Sequence, residues 1–279
     1  MRVATAADRP ALVTFLQARA RQAMFPLANL AQHGMAGGHP RAMRFWLAGD
    51  PLTGVMGLTD QGMLMPNLRP DQIAAARAAL AGKALIGIIG PADSALPLHQ
   101  ALGLAGAPTM IAHVEPHFHL DLAALIQPPV DGLTLTPISA APRAAMLDWC
   151  TDYDVEALGV RPQVARANAA GELDAWIAAD SHRVLWRDGQ PVARTGFNAR
   201  LPGIVQVGAV YVPPPLRRQG LARAAVALHL ANAQGQGVTQ ATLFAASDLA
   251  ARAYRAIGFR QTGEWFLCLL DGPAQVPHG

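Results

Sequence analysis

The chain has 279 residues, more than one domain usually holds, so two domains of roughly 130 residues each are expected. A hydrophobic fraction of 52% supplies apolar side chains for two cores, and a formal charge of +3, thinly spread, argues against nucleic acid as the natural partner. Cys150 and Cys268 are too far apart in sequence to suggest a disulfide framework or a zinc site, and no apolar run reaches the roughly 18 residues of a membrane span.

Asp8 and Arg9 stand where a signal peptide would need an apolar core, so a soluble cytoplasmic protein is expected. Lys83 is the sole lysine among 22 basic side chains. That bias, with abundant Ala, Gly and Pro, reflects GC-rich bacterial coding and says nothing of function.

In chain order, Arg2 to Ala4 reads as a strand, Asp8 to Ala20 and Pro26 to His33 as helices, and Met43 to Leu47 as a strand. Leu52 to Leu58 and Gly62 to Leu68 form a pair of strands. Pro70 to Leu80 is a helix, Ala84 to Ile89 a strand, Ser94 to Leu102 a helix and Thr109 to Leu120 a strand. The adjacent prolines of IQPPVDG, Ile126 to Gly132, block helix and central strand and mark a boundary near residue 130.

Beyond it, Leu133 to Pro137 alternates as a strand. Ser139 is the expected N-cap of a helix running toward Leu158, and Pro162 to Ala179 gives a second helix. His182 to Trp186 and Pro191 to Ala199 are strands joined by a hairpin turn at Asp188-Gly189. Ile204 to Val212 is a strand, Gln219 to Ala233 a helix and Gln240 to Ala245 a strand. Ser247 caps a helix that ends at Gly258, and Phe259 to Leu270 supplies one or two closing strands.

The richest segment is Ile204 to Ala222, IVQVGAVYVPPPLRRQGLA, which joins a strand to a helix through three prolines, two arginines and a glycine. Such a junction presents unpaired N–H groups at the positive end of a helix, where a pyrophosphate can sit. Arg217, Gly220 and Ala222 fit an Arg/Gln-x-x-Gly-x-Gly/Ala loop, and SDLAARAYRAIGF, Ser247 to Phe259, fits Asn-x-x-Ala-x-x-x-Tyr-x-x-x-Gly-Phe with serine in place of asparagine. Both blocks, at this spacing, resemble the GNAT superfamily of acyl-CoA-dependent N-acyltransferases.

The resemblance implies an α/β fold (α+β) of two GNAT-like domains, each a central mixed, mostly antiparallel sheet flanked by helices. Residues 1–128 would be a degenerate N-terminal copy and 133–279 the catalytic domain. The first copy's equivalent loop, PNLRPDQIAAA, lacks the cradling glycine and puts Pro70 where an N–H would be useful.

Acetyl-CoA is the implied acyl donor. The N–H groups of Arg218, Gln219, Gly220, Leu221 and Ala222 would hold its pyrophosphate, with charge from Arg217 or Arg218. By resemblance, the main chain of Val210 and Val212 holds the pantetheine, an N–H near Val210 polarises the acyl carbonyl, and Gly208 and Ala209 suit a bulge. Ser247, Ala250 and Tyr254 share a helix face, which implies cofactor contacts for the first two and a general-acid role for Tyr254.

Glu156 is the choice for base or amine-binding carboxylate, with Asp154 beside it and Gln206, Asn198 and Tyr153 as further acceptor-side residues. The histidines at 113, 117 and 119 alternate, but Pro116 interrupts them, so no metal is expected. The expected activity is acetyl transfer to the amine of a small molecule or an amino terminus, without nucleic acid or membrane; a homodimer is compatible with the sequence. Two alternatives stay open: an acyl-CoA-binding sensor without turnover, and a transferase taking an aminoacyl group from tRNA.

Overall fold

The computed structural model describes residues 1–278. The chain divides into two compact units: Met1–Glu115 together with the stretch from Gly263 onward, and Pro116–Thr262. This division does not follow the proline-rich linker. Residues 126–132 lie inside the second unit, and the stretch from Gly263, expected with the second domain, belongs to the first.

The first unit begins with β1 (Arg2–Val3), α1 (Arg9–Gln17), α2 (Met24–His33) and the strands β2 (Met43–Ala48), β3 (Gly54–Thr59) and β4 (Met63–Asn67). It continues through α3 (Ile73–Leu80), β5 (Ala84–Pro91) and α4 (Ala92–Ala101). The strand β6 (Thr109–Asp121) then carries the chain into the second unit.

That unit holds β7 (Leu133–Pro137), the helices α5 (Arg143–Leu158) and α6 (Pro162–Ala178), and the strands β8 (His182–Arg187), β9 (Gln190–Leu201) and β10 (Ile204–Tyr211). Next come α7 (Leu221–Gln234), β11 (Gln240–Phe244) and α8 (Asp248–Arg255), and β12 (Arg260–Gln275) returns the chain to the first unit.

The two units repeat one strand order. In the first it is β1-β2-β3-β4-β5-β12, and in the second β7-β8-β9-β10-β11-β6. Among the described residues, each contains a single parallel pair, β4 with β5 and β10 with β11, among antiparallel neighbours. The sixth strand is exchanged: β12, made last, pairs with β5, whereas β6 pairs with β11. Phe266, Cys268, Leu270 and Val276 are accordingly core residues of the first unit.

Local chemistry explains the element ends. Asp188 and Gly189 take φ of 52° and 71°, the left-handed pair that a two-residue hairpin between Arg187 and Gln190 requires. Ser139 does not cap α5 as expected. It sits in a short 3-10 turn, Ile138–Ala140, and α5 begins only after Pro142, whose ring keeps Ala141 extended.

In the second unit, α5 and α6 pack on one face of the sheet through Met146, Trp149, Cys150, Leu173 and Val184, while α7 covers the other through Leu221, Ala224 and Ala225. A longer apolar cluster joins Val205, Val207, Val226, Leu230 and Leu243 to Tyr254, Ile257 and Phe259.

Candidate functional site

The parallel pair β10–β11 runs in register from Ile204↔Gln240 to Val207↔Leu243 and then stops, although β10 continues to Tyr211. On its other side β10 stays beside β9, with irregularities at Gln206/Val207 and between Gly208 and Tyr211. Ala209, inside the second irregularity, has φ of 50°. Such a bulge turns backbone groups out of the ladder, and beyond Val207 the edge of β10 has no ladder partner in β11, which ends at Phe244.

The loop that follows leads to the N-terminus of α7. Arg218 and Gly220 are both left-handed, at φ of 65° and 77°, and Gly220 is the N-cap. The first intrahelical bond runs from the Ala224 N–H to the Gly220 carbonyl at 3.1 Å. The N–H groups of Leu221, Ala222 and Arg223 therefore precede the helical ladder and point out of its positive end. Among the expected contacts, Arg218 and Gln219 lie exposed in this loop, whereas Leu221 is buried and has only its backbone to offer.

Arg217 is committed elsewhere. Its Nε donates to the Val212 carbonyl at 3.0 Å and its Nη2 to Glu156 Oε2 at 2.5 Å, and its guanidinium lies 5.9 Å from the Tyr211 ring centroid. The same ion pair places Glu156 at the loop, 44% exposed, with its carboxylate turned to Arg217. Tyr211 in turn donates its hydroxyl to Asp152 Oδ2 at 3.0 Å, and burial, then that carboxylate, pushes the phenol above its usual range.

Ser247 caps α8: its Oγ accepts from the Ala250 N–H at 3.2 Å, so the two expected cofactor contacts are bound to each other. Tyr254, one turn on, is 7% exposed and packs edge-on to Phe259 with 6.1 Å between centroids. Gly258 has φ of 103°, and a Cβ there would lie 2.6 Å from the Ala124 carbonyl, so this glycine of the motif is required by backbone proximity.

On the α5/α6 face, Asn198 lies exposed over Gly208, where any Cβ would overlap its Nδ2. Gln206 is buried, donating from Nε2 to the Val207 carbonyl at 2.7 Å, while its Oε1 has no partner. Asp154 is also buried, and its carboxyl is raised to about 7, first by burial and then by the neighbouring Glu172.

Two side chains were invisible to motif reading. Arg194 on β9 is 0% exposed, and His182 on β8 is stacked on Trp176 at 4.0 Å, with its Nδ1 2.8 Å from Ser181 Oγ. Burial, with Arg194 adding, holds this imidazole well below its usual range. Alternation could not find Arg194 either, because an irregularity skips Val192 in the pairing of β9 with β8: Val192 packs with the α7 residues, whereas Arg194 faces Cys150 on α5.

The equivalent loop of the first unit is built differently. The N–H of Leu68 goes to Ser94 Oγ at 2.9 Å and that of Arg69 to Gln72 Oε1 at 3.0 Å, and Pro70 has none to give. Asp71 places a carboxylate in the first turn, paired with Arg69. Of the alternating histidines, His113 pairs with Glu115 at 2.7 Å and His119 meets Gln240 at 3.2 Å. Among the described residues, no three His, Cys, Asp or Glu side chains gather as a metal site, and no helix is long and apolar enough to cross a membrane.

Residues 145–259 match the family model described as Acetyltransferase (GNAT) family. They form a GNAT-family domain. The matched GNAT segment lies within the second unit and spans both blocks. A GCN5-related N-acetyltransferase from Kribbella flavida is similar over 96% of each chain, with 19% identity and a TM-score of 0.56. Another from Sphaerobacter thermophilus covers 100% of this chain and 96% of its own, with 15% identity and a TM-score of 0.60. A tandem GNAT protein from the clavulanic acid biosynthesis pathway covers 97% and 95%, with 14% identity and a TM-score of 0.52. At these identities the likeness concerns the fold. No curated protein sequence matches the chain.

Proposed function

We propose that the GNAT domain binds acetyl-CoA and passes its acetyl group directly to the amine of a small molecule or an amino terminus. One observation carries this: β10 parts from β11 after Val207, at the end of the sheet where the left-handed Gly220 opens α7. An extended thioester needs such a gap for its arm, and its pyrophosphate needs such a helix end.

The N–H groups from Arg218 to Ala222 bind phosphate oxygens, with Arg218 adding charge and Arg217 bracing the loop through Glu156. The main chain of Val210 and Val212 lines the arm, and Ser247 and Ala250 present the start of α8 to it. As the amine attacks the acyl carbon, the electron pair moves to the carbonyl oxygen and returns to expel the thiolate, which takes a proton from Tyr254. A phenol is protonated at neutral pH and suits that role. Glu156 is the acceptor-side carboxylate: an incoming ammonium competes with Arg217 for it. The first unit, whose loop N–H groups are already used, serves as a structural or substrate-shaping partner.

A second reading, a sensor that binds acyl-CoA without turnover, draws on the same Glu156–Arg217 pair, which leaves the domain's exposed acceptor-side carboxylate engaged. Screening amines with acetyl-CoA for free thiol separates the two, since both expect CoA to raise the melting temperature and only the enzyme releases thiol. Tyr254→Phe should slow that release about a hundredfold or more. Release unchanged in that variant removes Tyr254 from the acid role, and no release with any amine leaves the sensor.

A further inference from the structure

Arg194 is fully buried, and its guanidinium is held at three sides. Nε donates to the Ala209 carbonyl at 3.1 Å, Nη1 to Cys150 Sγ at 3.2 Å, and the plane lies 4.6 Å from the Trp176 ring centroid and 5.3 Å from that of Tyr153. Nη2 has no hydrogen-bond partner. A buried guanidinium with a donor left unanswered is costly to keep.

The counter-charge comes from above. Asp154 on α5 acts on Arg194 through space, and Glu172 on α6 is hydrogen-bonded to Asp154. Burial, then Glu172, raises the Asp154 carboxyl to about 7, and Arg194 opposes that rise. A buried guanidinium is an expensive way to fill a core, and an apolar set would often serve stability as well. Its use must lie in what Arg194 touches.

What it touches is the carbonyl of the bulge. Ala209 is left-handed, a conformation that strains an alanine, and neither it nor Val210 has a partner in the β9 register. In a trans peptide the carbonyl and the following N–H point in opposite directions. Drawing the Ala209 carbonyl toward Arg194, on the β9 side, turns the Val210 N–H away from β9 and toward the open side of β10. A cation on the oxygen of that peptide also polarises its N–H, strengthening it as a donor.

We propose that Arg194 is a positioning residue for acyl transfer, which aims and polarises the Val210 N–H at the thioester carbonyl by holding the Ala209 carbonyl from behind. The inference rests on the acetyl-transfer reading above. It assigns Arg194 no contact with either substrate. Its effect is confined to the oxygen that gains charge in the transition state, so it acts on kcat and not on the pyrophosphate grip.

The test compares the full chain with its Arg194→Met, Arg194→Lys and Cys150→Ala variants. Three quantities are measured: Kd for CoA, kcat for thiol release with the best amine, and the infrared stretch of 13C-carbonyl acetyl-CoA bound to each. Losing one oxyanion donor costs about 100- to 1000-fold in kcat where measured, so misaiming it should cost about 10- to 100-fold in Arg194→Met. CoA affinity should stay within about threefold, and the carbonyl stretch should return toward its value in water. Arg194→Lys, which keeps charge and one donor, should fall between.

If Arg194→Met does not fold, Cys150→Ala, which frees only Nη1, should show the same split on a smaller scale. Folded variants with natural kcat and an unmoved stretch overturn the proposal, as does a parallel loss of CoA binding, which would mark a merely structural role. If the natural protein itself turns over no amine, the acetyl-transfer reading falls and this inference with it. Turnover in the natural protein with indifferent variants sinks only the inference.

Discussion

Replacing Gly220 by alanine probes the anion cradle at its least tolerant point. The residue has φ of 77°, and a Cβ would lie 3.1 Å from Arg223 Nε and 3.3 Å from its Nη2, the far end of a flexible side chain. Packing can therefore give way, and the backbone decides. Holding an alanine in the left-handed region costs about 1–2 kcal/mol. That cost has two places to appear. If the loop keeps its shape, the protein loses up to that much stability, roughly 2–8 °C in melting temperature for a unit of this size.

If instead the loop relaxes, CoA must restore the cradle on binding, and affinity falls about 5- to 30-fold. The two losses trade against each other and sum to the same 1–2 kcal/mol. Calorimetric titration with CoA and a thermal melt of the same sample measure both. Asparagine visits the left-handed region more readily than alanine, so Gly220→Asn should lose less in total. An alanine variant with natural Kd and melting temperature, or an asparagine variant that does no better, would refute the conformational reasoning.

Gly196→Ala should destabilise without touching the loop: the new Cβ overlaps the ring of His182, which is buried and stacked on Trp176, so overpacking should cost about 1–3 kcal/mol in denaturant unfolding. Stability should also fall at both ends of a pH titration. Burial first, with Arg183 and Arg200 adding, holds His229 at about 3, so the unfolded chain binds the extra proton and stability is lost as pH falls from about 6.5 toward 3. Asp154 acts in reverse: its protonated form is favoured in the fold, so its contribution is lost as pH rises from about 4 to about 7. His229→Phe should flatten the acid limb and Asp154→Asn the neutral one, and unchanged slopes would contradict the assignments. Finally, CoA should bind in one equivalent per chain, because the loop at Pro70 has already used its N–H groups; a second equivalent that survives Gly220→Ala would place a site in the first unit.

Short-range chemistry was well expressed in the sequence. Asp188-Gly189 announced its turn, Ser247 its cap and Gly220 its left-handed corner, because each depends on neighbours within a few residues. The pairing of distant strands was not. Phe259 to Leu270 reads as a closing strand on any sheet with an open edge, and alternation says which side chains are apolar without saying whose core they enter. Ser139 misled because Pro142, three residues on, controls where a helix can start. Glu156 was singled out for its place on α5, but its geometry depends on Arg217, 61 residues away. Arg194 escaped notice because an arginine in a strand is ordinarily read as a surface residue, and the irregularity at Val192 breaks the alternation that would have shown its face.

The exchange of sixth strands bears on how the protein is made. The partner of β5 emerges from the ribosome only after all of the second unit, so the first unit must wait, its edge uncovered, while nearly 150 residues follow it. A gene cut in the proline-rich linker would part each sheet from a strand it uses. The two halves are thus bound to a common fate by the order of their synthesis, and expressed separately neither fragment should reach its native state.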